Sequence, residues 1–387
     1  MKFKRIFLLV LDSLGVGETT DAVNFGDVGA NTLGHVADEC SLFIPNLKKI
    51  GFLDTLNMSD NNDVDAYYTI ARPINAGKDT LNGHYEMLGI KNDVPFKTYN
   101  QGFTYDVLSS IEQITGRSVI GNKCCSDDSI IQELGERQYN YGSLIVYTSA
   151  DSDIQVAAHE DCIPIATLHE YCEKIRALSL KEDFRIARVI ARPFTGTPGK
   201  YKFVSSGRRD YAIKPPKKSI LDYLDEANYN VIGIGKINDI LDGQGINKMI
   251  KASNNNEAIN KLTDIIDKNF TGLCITNLCD FDSLYGNIRD VEGFGRAIEE
   301  LDVDIPIILN KLDLDDLLII TADHGNDPTL GHDHTRENLP VILYSRNFKS
   351  PKRLAQFDTL ANIGALIADN FDIEMPEIGT SILEELE

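Results

Sequence analysis

No stretch of the sequence is long and apolar enough to cross a bilayer, because a spanning helix needs about 20 consecutive apolar residues. The start, Lys2 to Leu11, imitates a secretory leader, but its apolar run Ile6–Leu11 is cut by Asp12 and no small-residue cleavage site follows. It reads as a buried strand, and the chain as soluble with no membrane partner. Metal-type CxxC spacing is missing too. The seven cysteines include the vicinal pair Cys124 and Cys125, a liability in an oxidising compartment. A reducing cytoplasm is the expected location, with Cys162, Cys172, Cys274 and Cys279 as small buried hydrophobes. Basic residues are scarce, 38 Lys and Arg against 59 Asp and Glu, for a formal net charge of -21. Such a field repels nucleic acid and anionic membranes, so no nucleic-acid partner is expected. There is no internal repeat, heptad run, low-complexity tract, Walker loop or complete GxGxxG, which removes nucleotide-binding motifs as an explanation.

What remains is a chain of 387 residues with 42% apolar content, enough for folded cores and larger than one core usually becomes. Short β-rich runs recur with helical stretches between them: Ile6–Leu11, Leu144–Tyr147, Ile186–Ile190, Val231–Ile234, Leu273–Ile275, Leu317–Ile320 and Val341–Tyr344. That alternation predicts an α/β fold with a largely parallel sheet flanked by helices. Residues 92–215 differ in character, opening near Pro95 and closing at Pro215 and Pro216. They are expected to form an inserted second domain, leaving 1–91 and 216–387 to build the first jointly.

In open α/β sheets ligands gather beyond the carboxyl ends of the strands, so acids placed just after apolar runs are informative. FLLVLDS places Asp12, LCITNLCDFD places Asp280 and Asp282, and LLIITADHG places Asp323 beside His324. One such acid would be a turn former or a helix cap; three favour a shared site. Of seven histidines, His324, His332 and His334 fall within DHGNDPTLGHDH, and mixed carboxylate and imidazole donors suit Mn, Zn or Fe. Two ions a few ångströms apart can clamp a phosphoryl group, which requires an oxygen nucleophile nearby. Thr80 in NAGKDTLNGH is the candidate, in a loop that could lead into a helix whose free amides cradle phosphate. Taken alone, such a threonine is more often an N-cap than a nucleophile.

These residues carry a resemblance over nearly the whole chain. KRIFLLVLDSLGVGE, GKDTLNGHYEMLG, GSLIVYTSADSDIQVAAHE, RVIARPFTGTPG, DYAIKP, IGKINDILDGQG, FTGLCITNLCDFDSLYG and TADHGNDP with DHTRE resemble the bacterial phosphopentomutases of the alkaline phosphatase superfamily. The resemblance implies a phosphatase-like core with a smaller cap domain, interconverting ribose 1-phosphate, or its deoxy analogue, and the 5-phosphate. Thr80 would be the phosphorylated nucleophile. Asp12, Asp323 and His324 would hold one Mn ion together with Thr80, and Asp282 and His334 the other. A sugar bisphosphate would prime the cycle, and a closing cap would keep water from the phosphoenzyme. The partner is a small sugar phosphate, and a monomer is expected. Residues 185–218 hold ten Lys or Arg against the single acid Asp210, a basic island that is either a solvated face or a phosphate site. Arg192 and Arg208 match substrate-binding positions of the family, and guanidinium forks suit phosphate. Asp151 matches the residue that meets the sugar, although a cap or turn residue would look the same, and Lys236 reads equally as a phosphate contact or a surface lysine.

Two departures stand out. Where the family has a histidine ligand of the second ion, this sequence has Asn287. A neutral amide oxygen is a harder donor, so weak second-ion binding or a preference for Mg is expected, with His332 as a replacement ligand. In the insertion the family's NKPASGT reads NKCCSDD from Asn122 to Asp128, which gains two acids that would repel an anionic substrate. A related phosphatase or phosphoglycerate mutase, and a catalytically impaired ligand-binding homologue, are the competing readings.

Overall fold

A computed structural model describes residues 1–125, 128–149, 151–181 and 184–387. In chain order its strands are β1 (Arg5–Leu11), β2 (Tyr67–Ala71), β3 (Val119–Cys124), β4 (Leu144–Thr148), β5 (Asp153–His159), β6 (Arg188–Thr195), β7 (Lys202–Phe203) and β8 (Arg209–Ala212). They continue as β9 (Asn230–Ile234), β10 (Lys248–Ile250), β11 (Gly272–Leu278), β12 (Asp316–Thr321) and β13 (Leu339–Tyr344). The chain forms two compact units, one of Met1–Pro95 with Pro215–Glu387 and one of Phe96–Lys214.

The first unit holds a seven-stranded sheet in the order β10-β9-β11-β1-β12-β13-β2. The strands from β10 to β12 are parallel, and β13 runs antiparallel to both of its neighbours. This is the mostly parallel α/β architecture that the sequence predicts. Every residue of β1, RIFLLVL, is buried, as expected for a central strand covered on both faces. Its one charged residue, Arg5, forms a two-pronged pair with Asp316 at 2.7 and 2.6 Å. Register places Val10 of β1 opposite Asn277 of β11 and Thr321 of β12. Asp12 and Asp323 therefore leave the same end of adjacent strands.

The second unit holds a six-stranded mixed sheet in the order β3-β4-β5-β6-β7, with β8 pairing β6. One core includes Ile111, Val146, Val156, Leu168 and Val189, and another Ile131, Ile145, Phe194 and Tyr201. The run read as a strand over Ile186–Ile190 is β6, starting at Arg188. Among the described residues no helix is long and apolar enough to cross a membrane.

Candidate metal centre

Thr80 opens the helix Thr80–Met87, all of which is buried, and Asp79 caps it by accepting from the Asn82 amide at 3.1 Å. This satisfies one of the free N–H groups of the first turn and seats the Thr80 hydroxyl at the positive end of the helix. Thr80 Oγ1 lies 3.2 Å from His324 Nε2. The helix also sits directly on the loop after β12: a Cβ at Gly83 would fall 2.0 Å from the Asp323 carbonyl oxygen.

His324 is the pivot. Its Nδ1 lies 3.0 Å from the Gly325 carbonyl oxygen; a hydrogen placed there leaves the Nε2 lone pair facing Asp12 Oδ1 at 3.4 Å and Asp323 Oδ2 at 3.6 Å. Asp12 Oδ2 accepts from Asn277 Nδ2 at 3.1 Å. Asp323 Oδ1 accepts from the Ser13 and His324 amides, each at 3.1 Å. The other oxygens, Asp12 Oδ1 and Asp323 Oδ2, are buried and accept no hydrogen bond among the described residues. Ser13 holds a left-handed φ of 74°, an uncommon conformation outside glycine, and in it the Ser13 amide donates to Asp323.

Asp282 lies on a single π-type turn, Phe281–Gly286, after β11; such turns are frequent at functional sites. His334 Nδ1 is 3.1 Å from the Lys78 carbonyl oxygen, and its Nε2 is 3.2 Å from Asp282 Oδ1. The His324 and His334 rings stack at 3.9 Å. Two overlapping groups of donors result, Asp12 with Asp323 and His324, and Asp282 with His324 and His334, the donor atoms of each lying within 4.8 Å of one another.

Packed carboxylates and imidazoles perturb one another. Burial, then Asp323, pushes the Asp12 carboxyl up. Burial works in the same direction on Asp323, but His324 and His84 overcome it and hold that carboxyl near 2. Asp282 is pulled well below the carboxylate range, against burial, by His334. Burial opposes a charge on His324, yet Asp323 and Asp12 raise it well above 6.5. Such a cluster is short of positive charge. Two buried carboxylate oxygens without donors, beside imidazoles keyed by main-chain carbonyls, fit divalent ions.

Asn287 is at this centre, but its amide is engaged. Nδ2 donates to Asp282 Oδ2 at 2.8 Å, and Oδ1 accepts from Asn326 Nδ2 at 3.0 Å. Asn326 also donates to Asp282 Oδ1 at 2.8 Å and is itself held by Arg289 Nη1 at 2.6 Å. His332 is exposed and belongs to neither donor group. Lys236 follows β9 and approaches the Cys279 thiol.

The remaining expected residues lie in the second unit, each with a counter-group. Asp151 pairs with Arg188. Arg192 donates to Gln155 Oε1 at 2.9 Å, stacks 3.9 Å from the Phe203 ring, and comes within 3.9 Å of Asp128. Arg208 is paired with Asp210 at 2.8 and 2.9 Å. Of the altered segment, Ser126 and Asp127 lie outside the described residues.

The sequence reading missed His84, Asn277, Arg289 and Asn326, although the last stands in the same DHGND run as His324. Asp280 stands apart from both donor groups and lines a separate cavity of about 690 Å³ with Phe281, Tyr285, Glu300 and Asp304.

Several solved structures are similar at low identity. The PH0037 protein from Pyrococcus horikoshii is 14% identical, with 98% of this chain and 100% of that chain covered and a TM-score of 0.49. Leishmania mexicana phosphoglycerate mutase is 12% identical over 98% and 97%, with a TM-score of 0.48. A Vibrio parahaemolyticus protein of the alkaline phosphatase superfamily is 10% identical over 100% and 71%, with a TM-score of 0.44. The profile of the Metalloenzyme superfamily matches residues 4–375, nearly the whole length, and the chain belongs to that superfamily.

Proposed function

We propose that the protein is a phosphopentomutase, interconverting ribose 1-phosphate, or 2-deoxyribose 1-phosphate, and the 5-phosphate through a phosphothreonine at Thr80. The observation that carries this reading is the Thr80 hydroxyl at a helix N-terminus, 3.2 Å from an imidazole that belongs to both carboxylate–imidazole groups. In this reading Asp12, Asp323 and His324 hold one ion beside Thr80, and Asp282 and His334 hold the other. Asn287 offers its oxygen to the second ion only after leaving Asn326. Mn suits these donors, with Mg accepted at the second position. Divalent ions there would offset phosphoryl charge and favour the ionised nucleophile.

Phospho-Thr80 passes its phosphoryl group to the free hydroxyl of the sugar monophosphate. The P–Oγ bond breaks, a P–O bond forms on the sugar, and the proton displaced from the sugar returns to Thr80. The bisphosphate then reverses and gives up its other phosphate to Thr80. Arg192, Arg208 and Lys236 are assigned to the phosphate that is not reacting, and Asp151 to the sugar hydroxyls.

A second reading, a metal-dependent phosphatase or phosphomutase for another phosphate ester, is favoured by the engaged state of Arg208 and Asp151 and by Asp128 beside Arg192. One assay separates them: protein with Mn, ribose 5-phosphate and a sugar bisphosphate activator. Ribose 1-phosphate with phosphorylated Thr80 supports the mutase; sustained release of inorganic phosphate supports the phosphatase; neither product, with ions bound, supports an impaired ligand-binding homologue.

A further inference from the structure

His84 is one turn beyond Thr80 in the same buried helix, and its side chain is enclosed. Its Nδ1 lies 2.8 Å from the Thr80 carbonyl oxygen and 3.3 Å from Asp323 Oδ2. Its Nε2 is buried and makes no hydrogen bond among the described residues. The polar contacts of this imidazole are thus confined to the main chain of the nucleophile and a carboxylate of the first donor group. The tautomer with hydrogen on Nδ1 donates to the Thr80 carbonyl while the same edge of the ring faces the Asp323 carboxylate, which leaves Nε2 bare. The same turn is locked to the loop after β12 from the other side, because Gly83 has no room for a Cβ against the Asp323 carbonyl. A histidine that only filled space would need neither its donor nitrogen nor this orientation.

We propose that His84 is a positioning residue that ties the first turn of the Thr80 helix to the Asp323 carboxylate, so that nucleophile and first ion share one support. Groups behind metal ligands fix ligand orientation, and their loss typically weakens metal affinity about 10–100-fold. The inference rests on the reading of Asp323 as an ion ligand, so the experiment tests both separately.

Mn affinity is measured by calorimetry, with thermal midpoints recorded, for the native chain and for His84→Asn, His84→Gln, His84→Leu and Asp323→Asn. Asn places its amide nitrogen where Nδ1 stands, whereas Gln reaches to the Nε2 position. Intact mass after incubation with a sugar bisphosphate reports phosphorylation of Thr80. The expected result is near-native affinity and phosphorylation for His84→Asn, with a loss of 10–100-fold in affinity and slowed phosphorylation for His84→Gln and His84→Leu. Native Mn affinity in folded His84→Gln overturns the proposal, as does a loss in His84→Asn equal to that in His84→Gln. Should Asp323→Asn bind Mn like the native chain, the ion assignment fails instead; should it alone lose Mn, only the role of His84 fails.

Discussion

At the scale of single residues the proposed phosphoryl transfer rests on the hydroxyl of Thr80, and Thr80→Val keeps its shape without the oxygen. Mass spectrometry after bisphosphate treatment is expected to find no phosphoryl adduct on this variant, with mutase turnover down on the order of 10³-fold or more. Retained phosphorylation would place the nucleophile elsewhere. His324 and Asp323 each contribute to the pH dependence of the ion-free protein. A raised folded pKa contributes stability that is full below the unfolded value and is lost as pH rises through the folded one; for His324 that loss begins above 6.5. Asp323 is depressed, so its contribution is present above 3.8 and is lost as pH falls toward 2. Urea unfolding of chelated protein should therefore weaken from neutral pH upward and again below pH 3.8, and a flat profile on the alkaline side would contradict the His324 assignment. That Asp12 and Asp323, with His324 beside it, would come together was legible because an apolar run ends in an acid at each strand mouth. Asn277 and His84 were not, because a buried amide or imidazole inside a strand or helix pattern leaves no local signal of what it touches.

At the scale of elements the contact between the Thr80 helix and the loop after β12 depends on one missing side chain. Gly83→Ala puts a methyl group 2.0 Å from the Asp323 oxygen; overpacking of this kind costs about 1–3 kcal/mol. Stability and Mn affinity should fall together, and a fall in stability alone would show that the contact does not support the donor group. Between β1 and β12 the Arg5–Asp316 pair is buried, with side chains 4% and 0% exposed. Arg5→Met strands the carboxylate and should cost about 3–5 kcal/mol in urea unfolding, whereas a neutral outcome would mean that water reaches Asp316. Strands with unbroken apolar runs, β1, β11 and β12, were legible from composition. β5, DIQVAAH, was not: Asp153 and Gln155 are buried in it, and Asp153 binds the Thr148 hydroxyl and the Ser149 amide and hydroxyl, a content that reads as loop. β3 escaped notice because its ladder is irregular between Gly121 and Cys124.

At the scale of the whole molecule ligand binding and stability are linked. An ion that binds only the folded chain stabilises it by about 2.7 kcal/mol at a hundred times its Kd, so Mn should raise the thermal midpoint and a chelator lower it; a midpoint indifferent to both would argue against a resident ion. The chain forms two compact units, and the prolines behind the expectation of an inserted domain, Pro95 and Pro215, stand at their bounds; the pairing of Asp151 with Arg188 was not legible, since an ion pair between neighbouring strands depends on their register. The order of the seven-stranded sheet also bears on how the polypeptide is made. β1 leaves the ribosome well before its neighbours β11 and β12, which begin only at Gly272 and Asp316. At roughly 5–20 residues per second that apolar segment waits tens of seconds for its permanent partners. A nascent chain with an apolar strand unsheltered for so long is a natural client for chaperones that shield emerging sequence.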